Sequence, residues 1–505
     1  MLSDASVSDQ KLKSDSAPEA GSSALVASSS RLKLYWRACY VKHFFHVLPG
    51  ETLLEFGAGD GTWTKELDRV FRGENPITAA VSDLPFETLP IKGLRVINIA
   101  DLSQHARNGS FDYIVGSLME SETPVELMTL LYDLLKPGGR MLFFQPNASH
   151  PLRRLSRSRG QNGHGQPLHA ATLRASAAAA GFTNIAVTPY DLNPSSLSRT
   201  SVARLDPITA VLEHAPACRS FASTLICSAT KPGSRIRAAN LAEHLPLYGT
   251  VSVVIPCHNE EANIQQLIDE LLKLYGLYIR EIIVVNDNST DGTAHILSRI
   301  ANSERRVKVI TRGKPNGVGL ALSDGYRAAS GRYILSMDSD FVDILPEFRD
   351  LFDAIVNGAD GAIGSRFSHE SVVAGYPSSK MLCNRVFHLI IKLMLVRRVR
   401  DISNNLKLYK SEILKKLEIE SPHFSANLET GLKPILAGYD IREVPISWIN
   451  RTPEMGSSSF ELSRVGGDYL RTLLRIMRAE WFQGRSLARK RAPSSDPRAR
   501  AASQR

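Results

Sequence analysis

Short apolar runs separated by polar turns recur along most of the chain. In the C-terminal half, residues 251–255, 282–285 and 333–337 are mostly apolar, as expected for strands buried on both faces of a parallel sheet. Segment 261–274 is predicted to be a helix capped by Asn259, because its apolar residues recur with helical spacing at Ile264, Leu267, Ile268 and Leu271. Polar, acidic turns follow these strands, which is typical of the ligand crevice in an open α/β sheet.

The N-terminal half predicts a second α/β domain, over residues 31–231. Its expected strands are 52–56, 77–82, 95–99, 111–115, 140–144, 185–188 and 223–229, with helices at 34–48 and 171–180. Both domains are therefore predicted to be Rossmann-like, the second covering 249–482, with a linker at 232–248. Segments 1–30 and 483–505 are expected to be disordered because they contain few large apolar residues.

Composition narrows the choice of partners and compartment. A formal net charge of +10 over 505 residues favours anionic partners, although much of the excess lies after Arg471. The five cysteines lack CxxC spacing, which argues against zinc sites and a disulfide framework and favours a reducing compartment. No apolar run approaches the ~20 residues that span a bilayer. We expect a cytoplasmic protein, with peripheral contact at the inner face of the membrane left open.

A glycine-rich turn follows the first predicted strand. Gly57, Gly59 and Gly61 allow a tight turn whose N–H groups approach a ligand at the next helix N-terminus. Asp83 lies 22 residues beyond Gly61, the spacing at which an acidic residue accepts hydrogen bonds from ribose hydroxyls. Alone, this pattern is weak evidence for any one cofactor, and NAD binding remains possible.

Four sequence segments narrow the choice of cofactor: EFGAGDG, FDYIV, LLKPGG and AAAAGF. Together they resemble the class I S-adenosylmethionine-dependent methyltransferases. The resemblance implies S-adenosyl-L-methionine as cofactor and a final antiparallel hairpin in the sheet. It implies cofactor-binding roles for Glu55, Gly57, Gly59 and Gly61 on the methionine side, Asp83 at the ribose and Asp101 at the adenine. His150, His164 and His169 are candidate general bases or solvated loop residues.

Two carboxylates follow the third C-terminal strand. Asp338 and Asp340 flank Ser339, so both can approach one hard cation, Mg²⁺ or Mn²⁺, together with pyrophosphate oxygens. Asp287, at the end of another predicted strand, can bind a nucleotide base or ribose through hydrogen bonds.

Residues 250–460 resemble the family 2 glycosyltransferases of GT-A fold, and among them the polyprenyl-phosphate (dolichol-phosphate mannose type) synthases. The matching segments are VIPCHNEE, NDNSTDGT, DSD, GSR, DISNNLKLY and a loop after Arg451. The resemblance implies nucleotide-sugar-binding roles for Pro256, His258, Glu260, Asp287, Asp338, Ser339, Asp340, Arg366, Lys407 and Arg451. The chain departs from the family pattern at His258, Val342, Asn405 and Ser459, where an aromatic residue, glutamine, glycine and lysine are usual.

The implied reaction is inverting transfer of a sugar from a GDP- or UDP-sugar to a polyprenyl phosphate or a glycan. Asp338 and Asp340 would hold the metal, and a hydroxyl acceptor would require Asp343 or Glu429 as base. Segment 380–400 combines apolar stretches with Lys and Arg, which fits a membrane-surface helix or one packed on the sheet.

The two resemblances together predict a bifunctional enzyme. One alternative is a glycosyltransferase whose methyltransferase-like domain is a non-catalytic scaffold. A nucleic-acid methyltransferase is disfavoured because no NPPY-type motif is present, so we expect no specific nucleic-acid partner.

Overall fold

The computed structural model describes residues 20–82, 86, 89–105, 109–117, 124–148, 150, 169–190, 221–234, 240–368, 370–374, 378–395, 400–449 and 462–483. Two seven-stranded sheets organise these residues, one in each half of the chain. The predicted α/β class of both domains is therefore confirmed.

The N-terminal sheet has the order β3-β2-β1-β4-β5-β7-β6. Its strands are β1 Leu53–Phe56, β2 Ile77–Val81, β3 Arg95–Asn98, β4 Phe111–Gly116, β5 Leu135–Pro146, β6 Thr183–Tyr190 and β7 Thr224–Thr230. Strands β1 to β5 are parallel, whereas β7 runs antiparallel to both β5 and β6. The antiparallel pair β6–β7 agrees with the hairpin that the methyltransferase resemblance implies.

Helices cover both faces of this sheet. They are α1 Ala20–Phe45, α2 Thr62–Val70, α3 Leu102–His105, α4 Pro124–Leu134 and α5 Ala170–Ala179. Successive strand residues point to opposite faces, so Leu53 and Leu54 enter two different buried clusters. Burial on both faces explains the mostly apolar sequences of β1, β2 and β4, whereas β3 and β6 are partly exposed.

The C-terminal sheet has the order β10-β9-β8-β11-β14-β12-β15. Its strands are β8 Val251–Cys257, β9 Ile279–Asp287, β10 Val307–Arg312, β11 Tyr333–Ser336, β12 Gly361–Ser365, β14 Lys407–Lys410 and β15 Ile441–Pro445. A separate two-stranded ribbon joins β13 Val373–Ala374 to β16 Trp448–Ile449. Strand β14 lies antiparallel between β11 and β12. The start of β14 therefore meets the carboxyl ends of the parallel strands at one edge of the sheet.

The helices of this domain are α6 Ile264–Tyr275, α7 Thr293–Ser303, α8 Val318–Ala328, α9 Phe348–Val356, α10 Ser378–Met394, α11 Ser411–Lys415, α12 Ala426–Leu436 and α13 Leu462–Gln483. Helix α6 begins later than predicted, and the prediction that Asn259 caps it is wrong. Asn259 has left-handed backbone geometry (φ 54°), and its side-chain oxygen accepts a hydrogen bond from the N–H of Thr290 at 2.7 Å. Within the described ranges, no helix is long and apolar enough to cross a bilayer.

The two domains share a buried cluster. Leu48, which follows α1, packs in the same cluster as the strands of the C-terminal sheet. Leu241, Ala242 and Leu247, from the segment predicted as a linker, are buried in this cluster too. The connection between the domains is therefore packed against the second domain.

Candidate functional site

Asp338 and Asp340 follow β11, where the chain turns. Both are partly exposed, and Ser339 between them is buried. Burial and the nearby charge of Asp340 raise the pKa of Asp338 to about 6. A divalent cation between the two carboxylates would relieve this repulsion.

A hydrogen-bond chain fixes Asp338. The side-chain amide of Asn405 donates to Asp338 Oδ1 at 2.8 Å, and the Asn405 oxygen accepts from the hydroxyl of Ser336 at 2.7 Å. Tyr326 donates to the Ser336 hydroxyl at 3.0 Å. The sequence showed Asn405 only as a departure from the family's glycine; the structure shows that it orients an acidic residue of the site.

Asp338 and Asp340 could together bind a cation whose remaining ligands come from the substrate. Among the described residues, no group of three or more His, Cys, Asp or Glu side chains is placed to hold a metal. Asp343 is exposed, three residues after Asp340. Magnesium commonly binds through one or two carboxylates plus substrate phosphates and water, so Asp338 and Asp340 suffice as the protein's share.

Asp287 ends β9 next to His258, which follows β8. The Asp287 carboxylate accepts from Arg312 and, at 2.6 Å, from the backbone N–H of Gly317. Its backbone carbonyl lies 2.8 Å from Nδ1 of His258 and accepts from the Asn316 amide at 3.0 Å. Arg312 is thus an ion-pair partner that orients Asp287.

Glu260 and Pro256 complete this part of the edge. Pro256 is buried inside β8, and Glu260 accepts from the side-chain amide of Asn263 at 2.7 Å. The Glu260 N–H donates to the hydroxyl of Thr293 at 2.9 Å, which joins the turn after β8 to the start of α7.

Arg366 follows β12 and is held by Asp401. Its Nε and Nη2 donate to the two carboxylate oxygens at 2.7 and 2.9 Å, and its backbone N–H donates at 3.0 Å. Burial would raise the pKa of Asp401, but Arg366 and His388 hold it below its ordinary value. The guanidinium lies 5.5 Å from the ring centroid of Trp448 and 5.4 Å from that of Phe367.

Lys407 begins β14 and is completely buried. Its ammonium donates to the Asn427 carbonyl and the Thr430 hydroxyl, both at 3.0 Å. Burial lowers its pKa to about 7, although Asp338 and Asp401 oppose the shift. The hydrogen bonds of Lys407 therefore go to α12, while its charge acts on the acidic residues of the site.

Glu429 lies in a buried ion-pair network. Its carboxylate accepts from Lys433 at 2.7 Å, from Arg475 at 2.6 Å and from the N–H of Ser421 at 2.9 Å. Burial opposes the shift, yet Lys433 and Ser421 keep the pKa of Glu429 lowered. No described bond joins it to Asp338 or Asp340. The remaining nucleotide-sugar candidate, Arg451, lies outside the described residues.

The glycine turn of the N-terminal domain is tight, as predicted, since the N–H of Gly61 donates to the carbonyl of Ala58 at 3.0 Å. Gly57, Gly59 and Gly61 have φ values of +74°, +58° and +83°, and Gly61 immediately precedes α2. A side chain at Gly59 would meet nothing within 4 Å, so the turn is open there, whereas one at Gly61 would meet Leu89 at 3.0 Å and Phe86 at 3.1 Å. Asp101 is exposed after β3, whereas Asp83 and His164 lie outside the described residues.

Glu55 lies beneath this turn in β1 and is completely buried. Neither of its carboxylate oxygens makes a hydrogen bond to a described residue. Burial raises its pKa to about 8, and the nearby Thr64 hydroxyl, which is not in hydrogen-bond geometry with the carboxylate, opposes the shift less strongly. An acidic group of this kind beside a glycine turn fits a ligand that carries positive charge, as S-adenosylmethionine does.

We expect Glu55→Gln to remove a pH dependence of stability. In the wild type, folding favours the protonated Glu55 carboxyl, so its contribution to the free energy of unfolding is largest below pH ~4.5 and decreases up to pH ~8, by at most about 1.4 kcal/mol per pH unit. The variant should lack this fall, so its advantage should grow with pH. Denaturant titrations from pH 5 to 8, beside Glu126→Gln at an exposed position, measure the difference. Equal slopes for all three proteins would contradict the interpretation.

Comparison with known proteins adds two family matches. Residues 34–187 match the methyltransferase domain family, and residues 252–418 match glycosyl transferase family 2.

Similar proteins also align with the second half. A dolichol-phosphate mannosyltransferase of Pyrococcus furiosus is 30% identical over 236 residues, covering 46% of this chain and 64% of that protein. The chain thus spans less than two thirds of that relative. A polyprenol monophosphomannose synthase of Mycolicibacterium smegmatis is 27% identical over 236 residues, covering 45% and 85%.

A solved structure overlaps the chain more weakly. Glucosyl-3-phosphoglycerate synthase of Mycobacterium tuberculosis, in complex with Mn²⁺, UDP-glucose and phosphoglyceric acid, is 21% identical with a TM-score of 0.36. The overlap covers 45% of this chain and 79% of that one. Nothing about the substrates of this chain follows from it. The two family matches, a methyltransferase domain followed by glycosyl transferase family 2, lie in the order that the sequence motifs predicted.

Proposed function

We propose that the C-terminal domain transfers a sugar from a GDP- or UDP-sugar to a polyprenyl phosphate, with inversion and with Mg²⁺ or Mn²⁺. The observation that carries this proposal is the convergence of Asp287, Asp338, Asp340 and Arg366 at one edge of the sheet, after β9, β11 and β12. The names of the two relatives support the choice of acceptor.

Each residue group has a distinct part in this reaction. Asp338 and Asp340 would hold the cation, which neutralises charge on the departing diphosphate. Asn405 keeps the Asp338 carboxylate in place. Asp287, oriented by Arg312, would bind the base or ribose, with His258 and Glu260 beside it. Arg366 would contact phosphate with a guanidinium that Asp401 holds in one orientation.

The surroundings of Glu429 favour a phosphate acceptor. A phosphate is already an anion and needs no strong base, whereas a glycan hydroxyl must lose a proton. Glu429 is bonded to two cationic side chains and its pKa is lowered, which makes it a weak base. For a glycan acceptor, the exposed Asp343 would remain the candidate.

The test is a transfer assay with a panel of GDP- and UDP-sugars, using polyprenyl phosphate and a glycan as alternative acceptors. Metal-dependent formation of a polyprenyl-phosphate sugar would support the proposal. Transfer to the glycan alone would move the base role to Asp343. Binding of nucleotide sugar without transfer to either acceptor would contradict the proposed acceptor class.

For the N-terminal domain, we propose S-adenosylmethionine-dependent methylation of the same glycan or lipid product. The open glycine turn and the buried Glu55 support cofactor binding. The scaffold alternative is favoured by the extensive contacts between the domains. Calorimetric titration with S-adenosylmethionine distinguishes them, since a scaffold without a cofactor would give no binding heat. Mass spectrometry of the transfer products would then test methylation.

Helix α10 supports peripheral membrane contact. Met381, His388 and Ile391 are buried on one side, while the other side exposes Leu382, Val386, Leu389, Ile390, Leu393 and Met394. The ring of Phe387 contacts Tyr469 of α13, whose Leu470 and Leu474 are exposed too. An exposed apolar face with Lys392 nearby fits an anionic lipid surface.

We expect the double variant Leu389→Glu, Leu393→Glu to weaken binding to anionic phospholipid vesicles by a factor of roughly 100 or more, since burying each leucine contributes about 1.5–3 kcal/mol. Vesicle flotation measures the effect. Leu245→Glu with Leu277→Glu is the matched control, because both leucines are exposed but lie outside α10 and α13. Equal losses in the two double variants would argue against α10 as the contact.

A further inference from the structure

Glu347 is a buried carboxylate that joins the two domains. Its Oε1 lies 2.9 Å from Nδ1 of His43 and 3.1 Å from Nδ1 of His46, both on the N-terminal side of the interface. Its Oε2 accepts from the backbone N–H of Ser447 at 2.6 Å. A buried charge needs such compensation. Although burial acts in the opposite direction, His43 and His46 hold the pKa of Glu347 well below its usual range.

Ser447 leads directly to the candidate transfer site. The next residue, Trp448, begins β16, and its N–H donates to the carbonyl of Val372 at 2.7 Å. The Trp448 ring lies under the Arg366 guanidinium, 5.5 Å from the ring centroid to Cζ. Glu347 is therefore linked to Trp448, the aromatic side chain that supports Arg366, through one hydrogen bond to Ser447 and the peptide bond that follows it.

Helix α1 contacts the other side of the same region. The hydroxyl of Tyr35 donates to Glu370 at 3.0 Å, in the turn between β12 and β13. Because β13 pairs with β16, the segments that follow Arg366 and that carry Trp448 are joined to each other. One helix of the N-terminal domain thus reaches both segments, through Glu370 and through Glu347.

We propose that Glu347 is a positioning residue of the glycosyltransferase domain, which α1 holds in place and which sets Trp448 against Arg366 through Ser447. None of these groups except Arg366 would touch substrate. The proposal rests on the proposed function only in assigning a phosphate contact to Arg366. It gives the N-terminal domain a role in sugar transfer that is independent of methylation.

Asp350 provides a matched control. It lies on α9, close to Glu347 in sequence, and also binds two cationic groups of the N-terminal domain, Lys42 at 2.9 Å and Arg72 at 2.5 Å. Among the described contacts, Asp350 makes none with residues 447–449. Asp350→Asn therefore weakens the contact between the domains without touching the segment that carries Trp448.

The experiment uses the full chain with 5-fluorotryptophan at its four tryptophan positions, the Trp448 signal being assigned with Trp448→Phe. We expect Glu347→Gln to shift or broaden the ¹⁹F signal of Trp448, and Asp350→Asn to leave it unchanged. In transfer assays, Glu347→Gln should raise KM for one phosphate-bearing substrate about tenfold and leave kcat within about threefold of the wild-type value. Such a change indicates weaker substrate binding rather than a slower chemical step. Asp350→Asn should leave both constants near the wild type.

An unchanged Trp448 signal in Glu347→Gln would overturn the proposal, as would equal effects of the two variants, which would indicate domain docking alone. If Glu347→Gln does not fold, His46→Asn removes one of the two partners and is held to the same criteria. If the wild type transfers no sugar, the proposed function fails, while the ¹⁹F comparison still decides the positioning role.

Discussion

Asp340→Asn should reduce metal-dependent sugar transfer by a factor of about 10³ or more. The substitution keeps the side-chain shape but removes one of two negative charges at the predicted cation site. A bound metal contributes several kcal/mol of charge stabilisation in such a transition state, and about 1.4 kcal/mol corresponds to a factor of ten. Initial rates over a range of Mn²⁺ concentrations would show the loss, and calorimetric titration with Mn²⁺ and nucleotide would show weaker cation binding.

Asp343→Asn is the control for this experiment. Asp343 is exposed and should leave transfer to polyprenyl phosphate within about threefold of wild type, since an anionic acceptor needs no base. If Asp340→Asn retained wild-type rates at low Mn²⁺ concentrations, Asp338 and Asp340 would not form the cation site.

Asp401→Asn should lower the free energy of unfolding by about 3–5 kcal/mol, because it leaves the Arg366 guanidinium without its carboxylate partner in a buried position. Transfer should fall as well, since Arg366 loses both of its bonds to carboxylate oxygens. Denaturant titrations at pH 7 measure the stability change. The control is Asp360→Asn, which breaks a half-exposed pair with Lys410 and should cost less than about 1 kcal/mol.

The effect of Asp401→Asn should also depend on pH. The pKa of Asp401 is lowered in the folded state, so its charge stabilises the fold above the unfolded pKa of ~3.9. This contribution is lost as pH falls through the lower folded pKa. The difference between variant and wild type should therefore be full at neutral pH and shrink below pH ~4. A difference that grows on acidification would contradict the assigned ion pair.

Local sequence patterns predicted the buried strands β8, β9 and β11, because burial on both faces imposes apolar runs, but did not predict the partly exposed β10. They could also place Asp287, Asp338 and Asp340 after strands, and parallel strands bring such positions to one edge. The family resemblance supplied Arg366 and the order of the two domains. Asn259 was mispredicted because a turn and a helix cap favour the same residue type.

The supporting contacts could not be predicted in this way. Trp448 supports Arg366 from 82 positions away in the chain, and Glu347 meets Ser447 across 100 positions. No periodicity reports such pairs, since they depend on how β13, β16 and α1 pack in three dimensions. Asn405 was detectable only as an unusual residue in a familiar segment. Its bond to Asp338 required the placement of β14 beside β11.

The buried cluster that contains both Leu48 and Leu241 has a consequence for cooperativity. Unfolding either domain would expose apolar surface of the other, so the two domains should unfold with some cooperativity. A ligand that binds only one folded domain therefore stabilises the other through mass action. S-adenosylmethionine and a nucleotide sugar would then each protect both halves from heat and proteolysis, even where their reactions proceed separately.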